Sequence, residues 1–486
     1  MDVSQYQENN LLFYIIGMDS FVRFGLILLC LGVCVLGHVH FEMEGIDMQK
    51  TKLHVSELKM QNLQDHYSQR HLGKFGQRYW EMLDYFDPKA PRAILYICGE
   101  STGKFPKENT LSVRAAKEAK AALYSLEHRF YGVSQPAEDW SDDNLSLLSH
   151  DQALADIAYF IESMNKKFNE SSQAIPKWVV IGGSYAGALS AWARYKYPHL
   201  ISGAIASSAV VNVISEFKDF EMQTGLNLQK CEGEPANWSI KQLREYQLYA
   251  DSQLIGNTPD AKKAFLAMFN ATDMGLLDFA YYFADIAVSY IQSSNRKLLC
   301  SILDTLRKSG KPIKDQIKQL AESAAARGFT ADRYKFSSLR KTKINFDDNG
   351  RQWTYQTCSL LGWFQISYKQ NPIRWTGMNF TYWMNYCHEI FDVYLLPDDV
   401  AINMHFGGKE IGRFASNTYF VHGTDDGWKW VGVLDNIHGN PDIKFTEIKC
   451  DDCSHCIDLK PELDTDADIL KATRVKEIAA IIEWLA

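Results

Sequence analysis

Three segments of this chain carry residue types that together could perform nucleophilic chemistry. The first, "VVIGGSYAGALSAWARYKYP" at 179–198, ends a β-branched run in two glycines and places Ser184 where a helix-forming stretch begins. The second, "TYFVHGTDDGWKW", sets Asp425 and Asp426 just after another apolar run. The third, "CDDCSHCIDL", puts His455 in a loop ahead of the last helical pattern. A serine hydroxyl needs a base to take its proton and an acid to orient that base. Each piece has a plainer reading. A serine after a glycine turn caps a helix, and paired aspartates before a glycine form turns. A histidine among Cys450, Cys453 and Cys456 suggests zinc, but the spacing lacks the usual paired ligand knuckles, so no metal is expected. His128 competes as a base, yet it precedes the serine and sits between Glu127 and Arg129, which fits a structural polar cluster.

The elements around Ser184 determine which reading holds. Gly182 and Gly183 let the backbone turn sharply. Ala186, Gly187 and Ala188 let the following helix pack closely on the strand. This matches the nucleophile elbow of α/β-hydrolases, G-x-S-x-G, with the last glycine shifted to Gly187. In that fold the triad runs serine, then acid, then histidine, as Ser184, the aspartate pair and His455 do. Strands are expected at "RAILYI", "AALYSLEHRFYG", "WVVIGG", "ISGAIASSAVV", "NTYFVHG" and "DIKFTEI". Helices are expected at 110–121, after the capping Ser149, and at the C-terminal "RVKEIAAIIEWLA". Alternating strands and helices imply an α/β fold with a mostly parallel sheet. From about Asn212 to Asn371 the pattern turns helical, so the expected layout is an α/β-hydrolase core at 55–211 and 372–486, interrupted by a helical cap at 212–371.

The bulk numbers narrow the setting. With 486 residues, 46% of them hydrophobic, the chain can bury a large core. A net charge of -8 with no basic stripe argues against nucleic acid as a partner. Arg23 precedes the apolar "FGLILLCLGVCVL" at 24–36, the pattern of a signal peptide over 1–37, with an uncleaved anchor as the rival. The stretch is short for a membrane span, so no stable span is expected. Export to the secretory pathway fits five N-x-S/T sequons, at Asn144, Asn169, Asn237, Asn270 and Asn379. Of ten cysteines, Cys30 and Cys34 would leave with the signal, and the remaining eight are compatible with four disulfides.

"GGSYAGALSAWARYKYPHLISGAIASSA" resembles the nucleophile region of the lysosomal prolyl carboxypeptidase and dipeptidyl peptidase family, nearest its thymus-specific branch. "QRYW", "ALYSLEHRFYG", "LLSHDQALADIAYFI", "RQWTYQTCSLLGWFQ" and "SHCIDLKPE" match in order, from about residue 60 to the end. The resemblance implies Ser184 as nucleophile and His455 as base. It selects Asp426 over Asp425, because the family's N-G-x-x-D-P-W motif falls on His422–Trp428. It implies an oxyanion hole from the Tyr185 N–H and the Gly99-Glu100 turn. A proline-sized site would need an apolar wall, for which Trp428, two residues past Asp426, is the candidate, with a core tryptophan as its equal plainer reading. The implied activity is a cofactor-free serine exopeptidase cleaving short peptides after proline, lysosomal or extracellular, with a homodimer as an admissible assembly. The chain departs from the family at His422 and Gly427, at Cys98, and at Leu360, where relatives carry a glutamate. Leu360 leaves open which end of a peptide is recognised. A carboxylesterase of the same fold and a non-catalytic peptide-binding relative are the alternatives.

Overall fold

A computed structural model describes residues 53–486 except 71–72, 172–173, 371 and 436–438; the expected signal segment lies outside the described residues. One eight-stranded sheet runs in the order β1-β2-β4-β3-β5-β6-β7-β8. Its strands are Val55–Leu63 (β1), Lys74–Met82 (β2), Arg92–Ile97 (β3), Ala122–Leu126 (β4), Lys177–Gly183 (β5), Gly203–Ser207 (β6), Thr418–Gly423 (β7) and Ile443–Ile448 (β8). Strands β3 to β8 pair in parallel, whereas β2 runs antiparallel to both β1 and β4. This is the α/β-hydrolase fold.

The six strands expected from sequence all form. Central strands β4, β6 and β7 are buried at every position, which is why they read as continuous apolar runs. The β1–β2 hairpin was not expected. β1 is mostly exposed at the sheet edge, so its polar sequence shows no buried-strand signature.

Helices cover both faces. His150–Glu170 and Tyr185–Lys196 bury their apolar sides on one face. Leu111–Ala119 and Asp468–Leu485 pack on the other. Ser149 caps the first of these helices as expected, its Oγ accepting the Gln152 N–H. Between β6 and β7 the chain is helical and builds its own apolar cluster, including Phe269, Phe279, Leu299 and Leu320. Helices continue past residue 371, at Phe380–Phe391 and Asp399–Phe406, and the sheet resumes at Thr418. No helix among the described residues is long and apolar enough to cross a membrane.

Among the described residues three disulfides form, where the cysteine count admitted four: Cys231–Cys300, Cys358–Cys387 and Cys450–Cys453. Cys98 and Cys456 are free. Cys98 is buried at the end of β3, its sulfur against Ser125 Oγ at 3.2 Å, whereas Cys456 packs beside Gly183. An even cysteine count does not reveal that two thiols are held in separate packing environments.

Candidate active site

Ser184 stands between β5 and the Tyr185–Lys196 helix with φ 61° and ψ -125°. A non-glycine residue adopts positive φ only when its surroundings hold it there. The Ser184 N–H donates to the Ser207 carbonyl at 2.9 Å, and the Ser184 carbonyl accepts from Ala188 at 3.0 Å. Its hydroxyl makes no capping bond, so the plain helix-cap reading does not describe this serine. The turn admits no larger residue at 182, where a Cβ would lie 2.1 Å from the Ala186 carbonyl oxygen.

Asp426 follows β7, buried, and its Oδ1 accepts the Trp428 N–H at 2.9 Å. His455 Nδ1 lies 2.9 Å from Asp426 Oδ2 and 3.0 Å from Oδ1. The loop carrying His455 is pinned at several points. The Cys450–Cys453 disulfide closes it, and that bond takes two sulfurs from the supposed zinc cluster. The Asp425 N–H donates to the Cys453 carbonyl at 2.8 Å, and the Cys456 N–H donates to Ser208 Oγ at 2.9 Å. A Cβ on Gly183 would sit 2.8 Å from Cys456 Sγ. The residue before Ser184 therefore abuts the residue after His455.

Charge follows this geometry. Burial alone would lower the His455 pKa, but the Asp426 carboxylate, with Cys456, holds it well above the ordinary value. Burial alone would raise Asp426, but the facing His455 keeps it below the usual carboxylate range. His422, at the family's asparagine position, is buried and pushed down to about 4, so it is a neutral imidazole near Asp426. His128 is held to about 4 by burial, with Nε2 3.2 Å from the Tyr185 hydroxyl and Nδ1 2.8 Å from the Arg129 carbonyl oxygen. It belongs to a polar cluster with the Tyr185 ring, as expected.

Ser184, Glu100 and Trp428 line one cavity of about 170 Å³, below the roughly 300–1,000 Å³ usual for ligand pockets. Gly99 lies against the start of the Tyr185–Lys196 helix, where a Cβ would be 3.7 Å from the Ala186 nitrogen. Trp428 also packs on Phe217 and Phe220, with ring centroids 5.6 and 5.0 Å away, so it is both cavity wall and packing residue. The structure adds lining residues that sequence reasoning missed: Trp353, Trp363, Gln365, Tyr281 and Asp285. They come from the helical insertion, and the one local signal was an aspartate inside the apolar run "FAYYFADIAVSYI". Leu360 is half-buried against the core beneath and is absent from this lining. A second cavity, about 520 Å³, lies in the insertion between Phe269, Tyr282 and Lys318, and no serine, histidine or cysteine lines it.

No sequon asparagine lines the Ser184 cavity, whereas Asn270 lines the second one. Asn169, Asn237, Asn270 and Asn379 are exposed, and Asn379 also caps a helix by accepting the Tyr382 N–H at 2.9 Å. Asn144 is half-buried and donates to Asp139 Oδ1 at 2.7 Å.

The model of the family described as "Serine carboxypeptidase S28" matches residues 62–477. The chain belongs to this family. It is 34% identical over 414 residues to "Probable serine protease EDA2" of Arabidopsis thaliana, covering 83% of this chain and 81% of the relative. It is 27% identical over 451 residues to "Thymus-specific serine protease" of Mus musculus, covering 85% and 84%. It is 28% identical over 459 residues to "Prolyl carboxy peptidase like protein 5" of Caenorhabditis elegans, covering 85% and 86%. As an S28 member the chain is a serine-peptidase homologue on an α/β-hydrolase core. The family match runs through the glycine elbow, the Asp426 turn and the His455 loop alike.

Proposed function

We propose that this S28 protein is a serine exopeptidase cleaving short peptides after proline. Ser184 Oγ attacks the peptide carbonyl while His455 takes its proton. The N–H groups of Tyr185 and of the Gly99-Glu100 turn receive the oxyanion, donors that typically contribute about 10²–10³ each in rate. The C–N bond then breaks as His455 returns the proton to the leaving amine. Water, deprotonated by His455, releases the acyl group and restores Ser184. Asp426 orients His455 and stabilises its charged form. No metal or organic group enters any step.

The observation that carries this reading is the Asp426–His455 pair at 2.9 Å, packed through Cys456 onto the turn that bears Ser184. Trp428, Trp353 and Trp363 supply the apolar wall that a proline ring requires. The printed name of the nematode relative supports the preference for proline. Three disulfides support residence in an oxidising compartment, secreted or lysosomal, and the exposed sequons are the proposed glycan sites.

The test is a mixed peptide library incubated with the glycosylated protein at acidic and neutral pH, products read by mass spectrometry, beside a Ser184→Ala control. Cleavage after proline that the control lacks is the expected result. Absence of Ser184-dependent peptide cleavage, with ester hydrolysis retained, would overturn it in favour of an esterase.

A further inference from the structure

The second cavity, about 520 Å³, falls within the roughly 300–1,000 Å³ usual for ligand pockets, as the Ser184 cavity does not. It opens between two helices of the insertion, Pro259–Ala267 and Ile313–Ala325. Buried Phe269 and Tyr282 give it an aromatic floor, and exposed Ala264, Ala267 and Ala325 leave its walls low. The charges along its lining are matched close by. Lys318 Nζ lies 3.7 Å from Glu322 Oε1, and Asp332 Oδ1 lies 3.0 Å from Lys335 Nζ. An ionic ligand gains little from such solvent-screened pairs. A neutral polyol suits the lining better: its hydroxyls donate to the carboxylates and accept from the ammonium group, and its C–H faces lie on the apolar floor.

One residue of the lining identifies the polyol. Asn270 opens the sequon Asn270-Ala271-Thr272. Its φ is 55°, at the turn where the Ala271 N–H donates back to the Leu266 carbonyl at 3.1 Å. Asparagine tolerates that left-handed backbone. This accounts for the residue type at 270 but not for Thr272, exposed two positions on. Of the five sequon asparagines, Asn270 alone lines either cavity. Asn144 and Asn379, by contrast, hold their side chains in hydrogen bonds to Asp139 and to a helix cap.

We infer that the insertion cavity is the seat of an N-linked glycan carried by Asn270, whose first N-acetylglucosamine units lie over Phe269 and Tyr282 and bridge the helices Pro259–Ala267 and Ile313–Ala325. The bond forms between Asn270 Nδ2 and the anomeric carbon of a lipid-diphosphate-linked oligosaccharide. The carbon–oxygen bond to the diphosphate breaks, the lipid diphosphate leaves, and the amide gives up one proton. This rests on the secretory residence proposed above and goes beyond it, because the sugar becomes part of the packing of the insertion.

The experiment uses the full chain secreted from a eukaryotic host, as wild type, Thr272→Ala and Thr272→Ser. Changing Thr272 removes or keeps the sequon while Asn270 stays in its left-handed turn. Glycopeptide mass spectrometry should find Asn270 occupied in wild type and Thr272→Ser and bare in Thr272→Ala. Hydrogen–deuterium exchange then reads the seat. Thr272→Ala should raise amide exchange in residues 259–267 and 313–325 about three- to tenfold and leave the sheet unchanged, while Thr272→Ser keeps wild-type protection. Wild type trimmed by an endoglycosidase to its first sugar should keep most of that protection. A bare Asn270 beside occupied sequons elsewhere overturns the inference and leaves secretion standing, whereas no glycan at any sequon overturns both. Equal exchange in wild type and Thr272→Ala overturns the seat. A non-covalent mass retained by Thr272→Ala in native mass spectrometry gives the cavity to another occupant and overturns it too. If Thr272→Ala is not secreted, exchange in wild type before and after enzymatic removal of the whole glycan decides.

Discussion

Asp425 and Asp426 are neighbours in the chain, yet their carboxylates serve opposite partners. Asp426 faces His455 Nδ1 at 2.9 Å. Asp425 binds Lys230, accepts the Asp452 N–H at 3.1 Å and lies 3.7 Å from Arg296 Nε. Both are buried, so each charge depends on its own partner. Asp426→Asn is expected to lower kcat about 10⁴-fold, as loss of the orienting acid does in triads. Asp425→Asn is expected to cost about 2 kcal/mol of stability and keep kcat near wild type. Steady-state kinetics and urea denaturation on both variants decide it, and a larger kcat loss at Asp425 would contradict the assignment.

The same pair sets a pH dependence. His455 is raised, so its contribution to stability is complete below about 6.5 and is lost as pH climbs through its folded value. Asp426 is lowered, so its contribution is present above about 3.9 and is lost as pH falls through its folded value. The stability gap between wild type and Asp426→Asn is therefore widest between roughly pH 4 and 6.5 and narrows on the alkaline side. Catalysis needs His455 neutral, so the acid limb of kcat/KM lies above pH 6.5 in wild type and shifts acidward in Asp426→Asn. A wild-type limb at or below about 6.5 would contradict the raised histidine.

The two elbow glycines should respond differently to alanine. At Gly182 the new Cβ would meet the Ala186 backbone at 2.1 Å, which nothing nearby can relieve. Gly182→Ala is expected to destabilise by about 3 kcal/mol or more, read as a fall in Tm. At Gly183 the neighbours are side-chain atoms, Cys456 Sγ and Leu459 Cδ1, each 2.8 Å away. Gly183→Ala is expected to fold, displace the His455 loop and lose kcat with KM little changed.

Cys231–Cys300 closes a long loop, 69 residues apart in sequence, within the helical insertion. In the chain-entropy account such a crosslink stabilises by about 4 kcal/mol. Replacing both cysteines with serine should lower Tm, because the crosslink no longer restricts the unfolded chain. Fluorophosphonate labelling of Ser184 should persist. Unchanged Tm would refute the expected contribution.

The Ser184 elbow was legible because its information is local: a β-branched run, two glycines and small residues encode a strand, a turn and a tightly packed helix. The buried parallel strands were legible for the same reason. Residues alone left Asp425 and Asp426 equal, and only the family resemblance chose between them, because both occupy one turn and differ in what lies across it. The polar edge strand β1 carried no burial pattern to read. The cysteine count admitted four disulfides and three form among the described residues, because pairing depends on which thiols the fold brings together; Cys98 and Cys456 are packed with other partners. The insertion residues that line the Ser184 cavity were missed, since their segments read as ordinary packed helix, with the aspartate inside one apolar run as the single local signal. Sequence by itself determined the elements and the chemical types at their ends, through periodicity and backbone sterics. Tertiary structure decided which thiols pair and which residues of the helical insertion line the Ser184 cavity, because those choices depend on long-range packing that no local pattern encodes.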